Sequence, residues 1–211
     1  SKRIRPDIFF NRKDLGLPES GFIFCCFNNT YKLTPETFDS WSRILKKAKD
    51  SILLIYVDNE VAKKNLRKEI SNRGINSSRL FFGERLPESE YLARYRVADL
   101  FLDTQPYNAG TTASDALWMG LPVLTLCGNS FPSRMASSLL NALKIPELIT
   151  LNQNDYESLA IELAIEPKKL KLIKDKLDNN ISTAPLFDSQ KFITSLESVY
   201  CKMYDRRFNG L

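Results

Sequence analysis

The sequence contains no histidine. Histidine is the commonest general base near neutral pH, so its absence excludes Ser-His and Cys-His nucleophilic machinery within the chain and His-rich metal sites. Any base this chain supplies is a carboxylate. Cysteine is sparse: Cys25, Cys26, Cys127 and Cys201 show no metal-ligand spacing, and the adjacent pair lies inside an apolar run. These read as buried strand residues of a protein in a reducing cytoplasm, not as a disulfide framework. The longest apolar runs, 51–57 and 121–127, fall far short of the roughly 20 residues a membrane span needs. A secretory leader is not expected, because Ser1-Lys2-Arg3 opens a mixed polar segment. The chain starts without methionine, which reads as a fragment. GxGxxG and GxxxxGK[ST] are both missing, so the usual dinucleotide and P-loop readings fail.

What is present is an ordinary globular composition: 211 residues, 43% hydrophobic and 26% charged. The net charge of +5 raises nucleic acid as a partner. The lysines, however, fall on helical faces (Lys46-Lys47, Lys63-Lys64, Lys168 to Lys176) with acids between them. That pattern is a solvated surface, and neither nucleic acid nor membrane is expected as a partner.

Short β-rich runs alternate with amphipathic segments. Strands are expected at 21–27, 51–57, 79–83, 99–104, 122–127 and 147–151. Helices are expected after Thr34-Pro35, over 60–73 up to Gly74, after Pro87, and over 132–143. Nearly continuous apolar strands separated by helices mark a parallel sheet covered on both faces, a doubly wound Rossmann-like α/β fold. Beyond Asn152 only helices are expected, at 155–165, 168–179 and 189–208. The domain reading is a nucleotide-sugar-binding unit over 1–185, followed by a helical tail over 186–211 that packs back on the domain or on an N-terminal lobe.

In such sheets, ligands bind outside the carboxyl ends of the strands. After the first strand come Asn28, Asn29 and Lys32: either a lysine reaching a phosphate with amides beside it, or an exposed polar loop. After the third, the backbone at Leu86 with Tyr91 and Arg94 could meet a flat base, or could simply start a helix. After the fourth, Gly110 reads as a point where backbone comes close to something. Thr111 and Thr112 offer hydroxyls and N–H groups at the positive end of a helix, and Asp115 could accept from a ribose diol. The plain alternative is a threonine N-cap with an acid in the first turn.

Together these segments carry more than each does alone. The order FNN-x-YK-x-x-P, R-[IL]-x-F, ADLFLDT-x-PYN-x-GTT-x-x-DALW-x-G-x-PV and SR-x-x-x-SLL resembles the C-terminal half of the O-linked N-acetylglucosamine transferase and SPINDLY-like glycosyltransferases. The resemblance runs from about Arg5 to Met203. It implies the C-terminal lobe of a GT-B enzyme: inverting, using a UDP-sugar and neither metal nor other cofactor, which agrees with the lack of any Asp-x-Asp. It further implies Lys32 on the donor diphosphate, Thr111 and Thr112 on phosphate, Asp115 on ribose, and Arg94 with the Leu86 backbone near uracil. An N-terminal lobe and tetratricopeptide repeats would bring the protein acceptor and any base. The sequence departs from the animal pattern at four positions: Asn29 for glutamine, Tyr91 for histidine, Gly110 for histidine and Glu88 for lysine.

Overall fold

A computed structural model describes residues 4–210. The apolar runs become β1 (Phe22–Cys26), β2 (Ser51–Tyr56), β3 (Leu80–Gly83), β4 (Leu100–Leu102), β5 (Val123–Leu126) and β6 (Ile149–Thr150). All neighbours are parallel, and they lie in the order β3-β2-β1-β4-β5-β6. The two central strands are buried on both faces: Phe24, Cys25, Leu100 and Phe101 have no accessible surface. Burial explains why these strands read as unbroken apolar runs rather than alternating ones. Cys25 and Cys26 are unpaired within them, and burial pushes both thiols above their ordinary range.

The helices are α1 (Pro35–Lys47), α2 (Glu60–Asn72), α3 (Glu88–Arg94), α4 (Thr111–Trp118), α5 (Met135–Ala142), α6 (Gln153–Ile165), α7 (Pro167–Ile181) and α8 (Ser189–Phe208). Local chemistry sets their ends. The Thr34 hydroxyl accepts the Thr37 N–H, and Pro35 occupies the first position, where its missing N–H costs nothing. After α2 the chain turns at Gly74, whose φ of 75° suits a residue without Cβ.

The strand order also fixes the layers. From β1 the chain steps to β2 and β3 in one direction, whereas β4, β5 and β6 step in the other. Right-handed crossovers therefore put α1 and α2 on one face and α3, α4 and α5 on the opposite one. After β6 the chain returns to the first face, where α6 packs against α1. Trp41 Nε1 donates to the Tyr156 hydroxyl (3.2 Å), and Arg43 holds Glu157 through both carboxylate oxygens (2.9 and 2.7 Å). The Tyr156 hydroxyl then donates to the Asp103 carbonyl (3.0 Å), tying this layer to the end of β4.

Several boundaries differ from the sequence reading, and the strand expected at 147–151 is cut to Ile149–Thr150 because Pro146–Leu148 forms a 3-10 turn. The strand expected at 99–104 stops at Leu102. Asp103 still donates its N–H to Leu124 (3.0 Å), but its own carboxylate takes the next N–H, of Thr104, and the chain turns away. The helix expected at 132–143 begins as a 3-10 turn, Pro132–Arg134, before α5.

The last helix, α8, buries none of its residues. Phe192, Val199, Tyr200, Met203 and Tyr204 are all exposed on it. A groove of about 1100 Å³ opens where α8 begins, lined by Arg5, Trp118, Asp178, Phe187 and Ile193. Among the described residues, no helix is long and apolar enough to cross a membrane.

Removing the Tyr156 hydroxyl leaves the Trp41 N–H buried without its acceptor. Tyr156→Phe is expected to lose about 1–3 kcal/mol in urea unfolding with an unchanged m-value; an unaltered midpoint would show that this bridge does not hold α6 to the sheet.

Candidate functional site

The strand order reverses between β1 and β4, and in open parallel sheets the crevice at that switch point is where ligands bind. The loop after β1 carries Asn28, Asn29 and Lys32, and the loop after β4 carries residues 103–110 into α4. The structure brings these two loops together. Asn28 is buried (3% exposed). Its Nδ2 donates to the Thr104 hydroxyl (2.7 Å), and its Oδ1 accepts the Thr112 hydroxyl. One amide thus joins the end of β1, the end of β4 and the first turn of α4.

That contact corrects the plain cap reading. Thr111 and Thr112 do not cap α4. Gly110 holds the N-cap position and supplies no side-chain cap. The Thr112 hydroxyl is drawn sideways to Asn28 instead. The helix therefore opens with its N–H groups and positive dipole end uncapped, the arrangement that receives anions. Thr111 is exposed beside it.

Lys32 closes the other side. It ends a 3-10 turn, Thr30–Lys32, whose N-cap Asn29 accepts the Tyr31 N–H. The lysine's Nζ donates to the Asn108 carbonyl (3.0 Å) and lies 4.0 Å from the centre of the Tyr107 ring. Partial burial lowers its pKa, while Asp103 acts in the opposite sense. The exposed Asn29 spends its side-chain oxygen on the turn.

From the sequence, Asp103 reads as part of the strand expected at 99–104, because its neighbours are apolar. It has no accessible surface. Its Oδ1 accepts N–H groups from Thr104 (2.8 Å) and Ala109 (2.7 Å), and its Oδ2 accepts the Thr125 hydroxyl (2.7 Å). Burial still dominates, pushing its pKa up to about 7, while these donors and Lys32 pull it down. The available signal was an acid ending an apolar run directly before a loop.

The residues after β3 form a second cluster. Tyr91 donates its hydroxyl to Asp115 (3.0 Å) and shares a 2.5 Å hydrogen bond with the Tyr95 hydroxyl. With the Tyr91 proton on Asp115, this short bond takes its proton from Tyr95, whose hydroxyl oxygen also lies 3.3 Å from the Thr112 carbonyl. Asp115, 6% exposed, is thus joined to Tyr91, at the position where the animal pattern has histidine. Arg94 is 2% exposed. It donates to the Glu84 carbonyl (2.7 Å) and lies over the Phe27 ring at 4.1 Å. Burial lowers its pKa. It braces the loop bearing the half-buried Leu86 from beneath.

Gly110 is not demanded by packing within the chain. Its φ is −108°, and an added Cβ would meet Met135 Cγ at an ordinary 3.5 Å. Anything that requires close approach there lies outside these residues.

The family model "Glycosyl transferase family 41" matches residues 4–196. The chain belongs to glycosyl transferase family 41. It is 34% identical over 200 residues to the Arabidopsis thaliana probable UDP-N-acetylglucosamine–peptide N-acetylglucosaminyltransferase SEC, covering 94% of this chain and 20% of that protein. It is 32% identical to the UDP-N-acetylglucosamine–peptide N-acetylglucosaminyltransferase of Caenorhabditis elegans, covering 95% and 18%. A solved mutant of the Thermobaculum terrenum O-GlcNAc transferase superposes with a TM-score of 0.83 at 31% identity, covering 87% of this chain and 36% of that one. The family 41 chain therefore spans about a fifth of the length of these curated relatives.

Two outcomes follow from this geometry. Gly110→Ala should fold with a stability within about 1 kcal/mol of the wild type; a larger loss by thermal unfolding would show that the backbone needs glycine there. For Asp103, the folded state holds a proton more tightly than the unfolded chain. Its contribution is then complete below about pH 4 and is lost as pH rises through about 7. The stability of the wild type relative to Asp103→Asn should fall by about 2 kcal/mol between pH 5 and pH 8; a pH-independent difference would contradict the raised pKa.

Proposed function

We propose that this chain is the donor-binding lobe of an inverting, metal-independent protein O-glycosyltransferase that uses UDP-N-acetylglucosamine. The observation carrying the reading is that Lys32, bonded to the Asn108 carbonyl just before α4, shares the β1/β4 switch point with the uncapped N-terminus of α4, while Asn28 ties the loop after β1 to Thr104 and Thr112. The donor and the peptide acceptor are those for which the curated relatives are named.

On this reading the acceptor hydroxyl attacks the anomeric carbon, and negative charge grows on the departing diphosphate. Lys32, the first-turn amides of α4 and the Thr111 hydroxyl face that charge, while the Thr112 hydroxyl stays on Asn28 and its amide is among those first-turn donors. They are held in place before reaction, so they favour the transition state over the ground state. This charge compensation takes the place of a metal. Asp115 and Tyr91 meet the ribose, and the backbone at Leu86, braced by Arg94, meets the base.

The acceptor and any general base come from the portion of a longer enzyme corresponding to the rest of its relatives. The exposed apolar stripe of α8, with the groove beside Trp118 and Phe187, is where that portion packs. A second reading, a binding module that no longer catalyses, draws on Tyr91: its hydroxyl already engages Asp115.

Calorimetry tests the first reading. The chain should bind UDP with a Kd on the order of 100 μM, weaken about tenfold with Lys32→Ala, and transfer no sugar by itself. Absence of binding would overturn the donor-lobe reading, and appreciable turnover by the 211 residues would overturn the division of labour. In the full-length protein, unchanged transfer with Lys32→Ala would favour the module.

A further inference from the structure

Lys32 and Asp103 are linked through a single peptide group. The Lys32 ammonium donates to the carbonyl of Asn108 (3.0 Å). The N–H of the same peptide, on Ala109, donates to Asp103 Oδ1 (2.7 Å). The peptide dipole therefore lies between a cation at its oxygen and a carboxylate at its nitrogen, and each end polarises it in the same direction. Asp103 touches neither the crevice surface nor solvent, having no accessible area. It nevertheless grips three points around the crevice: the Thr104 and Ala109 amides on the loop leading to α4, and the Thr125 hydroxyl on β5.

We propose that Asp103 is the positioning residue of Lys32, acting through the Asn108–Ala109 peptide to hold the ammonium charged and aimed at the diphosphate. The proposal rests on the donor-lobe reading for the word diphosphate. The coupling between the two side chains stands independently of it.

A purely structural carboxylate would need only its acceptor oxygens, which an amide largely reproduces. What an amide lacks is the charge. Partial burial works against the Lys32 ammonium, and the groups that favour its charged form are Asp103 and the thiol Cys26. Cys26 is pushed further from ionising by its own burial. Asp103 titrates at about 7, so its charge is present in the alkaline range, where a lysine with a lowered pKa would otherwise lose its proton. Around Asp103 itself, the facing groups are Lys32, the Cys26 thiol, the Thr125 hydroxyl and Tyr156, whose hydroxyl meets the Asp103 carbonyl. Tyr156 is held neutral by burial.

The test is a double-mutant cycle with a direct readout of the lysine. The Lys32 side chain is followed by NMR in lysine-labelled chain without nucleotide, with Lys32→Gln assigning the signal. Asp103→Asn should lower its titration midpoint by about one pH unit while the chain stays folded. On the alkaline side of that midpoint, UDP affinity should fall by up to about tenfold, because the charged fraction changes tenfold per unit. In the Lys32→Gln background, Asp103→Asn should leave UDP affinity unchanged.

An unmoved midpoint in folded Asp103→Asn would overturn the proposal, as would an equal loss of affinity in both backgrounds. Asp103→Ala, which leaves its donors unpaired, serves to separate loss of fold from loss of charge. If the wild type bound no UDP but the midpoint still moved, the coupling would hold and the donor-lobe reading would fall.

Discussion

A buried carboxylate at the end of the central strand organises the rest. Asp103 stands where β4 gives way to the loop bearing Gly110 and α4, and it is surrounded by two main-chain amides and one hydroxyl. Removing such a group from water is costly, and the donors offset only part of the cost, which is why its pKa stays high. The loop between β4 and α4 is thereby fixed in one conformation. Asn28 reads that conformation from the β1 side through Thr104 and Thr112, and Lys32 reads it through Asn108.

The topology explains why the carboxylate sits there. With strand order β3-β2-β1-β4-β5-β6, the loops after β1 and β4 diverge to opposite faces and leave a crevice between them. A crevice of this kind offers main-chain N–H groups at a helix start without needing a glycine-rich signature. Here the elements that border the crevice are a single lysine and one uncapped helix end, cross-braced by buried amides. The tyrosine pair performs the same bracing on the far side of α4, Tyr95 donating to Tyr91 and Tyr91 to Asp115.

Much of this was legible in the sequence. Six apolar runs, their helical spacers and the closing run of helices identify a doubly wound sheet, and those patterns survive because burial on both faces leaves no polar alternation. The Thr34-Pro35 start and the Gly74 stop were legible for the same reason: each is a local chemical device. The threonine pair, Asp115 and Lys32 were legible as candidates by position after their strands, and the family motifs assembled them. Asp103 was not legible. A charged residue at the end of an apolar run looks like a strand terminus, and only the fold shows that its partners come from residues 104, 109 and 125 at once. The bond between Tyr91 and Asp115 was hidden likewise, because it spans 24 positions. Thr112 looked like a cap in one dimension and proved to be a cross-brace in three.

The central claim is that this brace presents Lys32 and the start of α4 to one anion. The most direct measurement is a crystal structure of the chain grown with UDP. The account predicts the diphosphate at the first turn of α4, its oxygens within hydrogen-bonding distance of the Thr111 and Thr112 amides and of Lys32 Nζ, with Asp103 unmoved beneath. Nucleotide bound elsewhere, such as in the groove beside Trp118 and Phe187, with the α4 start unoccupied, would contradict it.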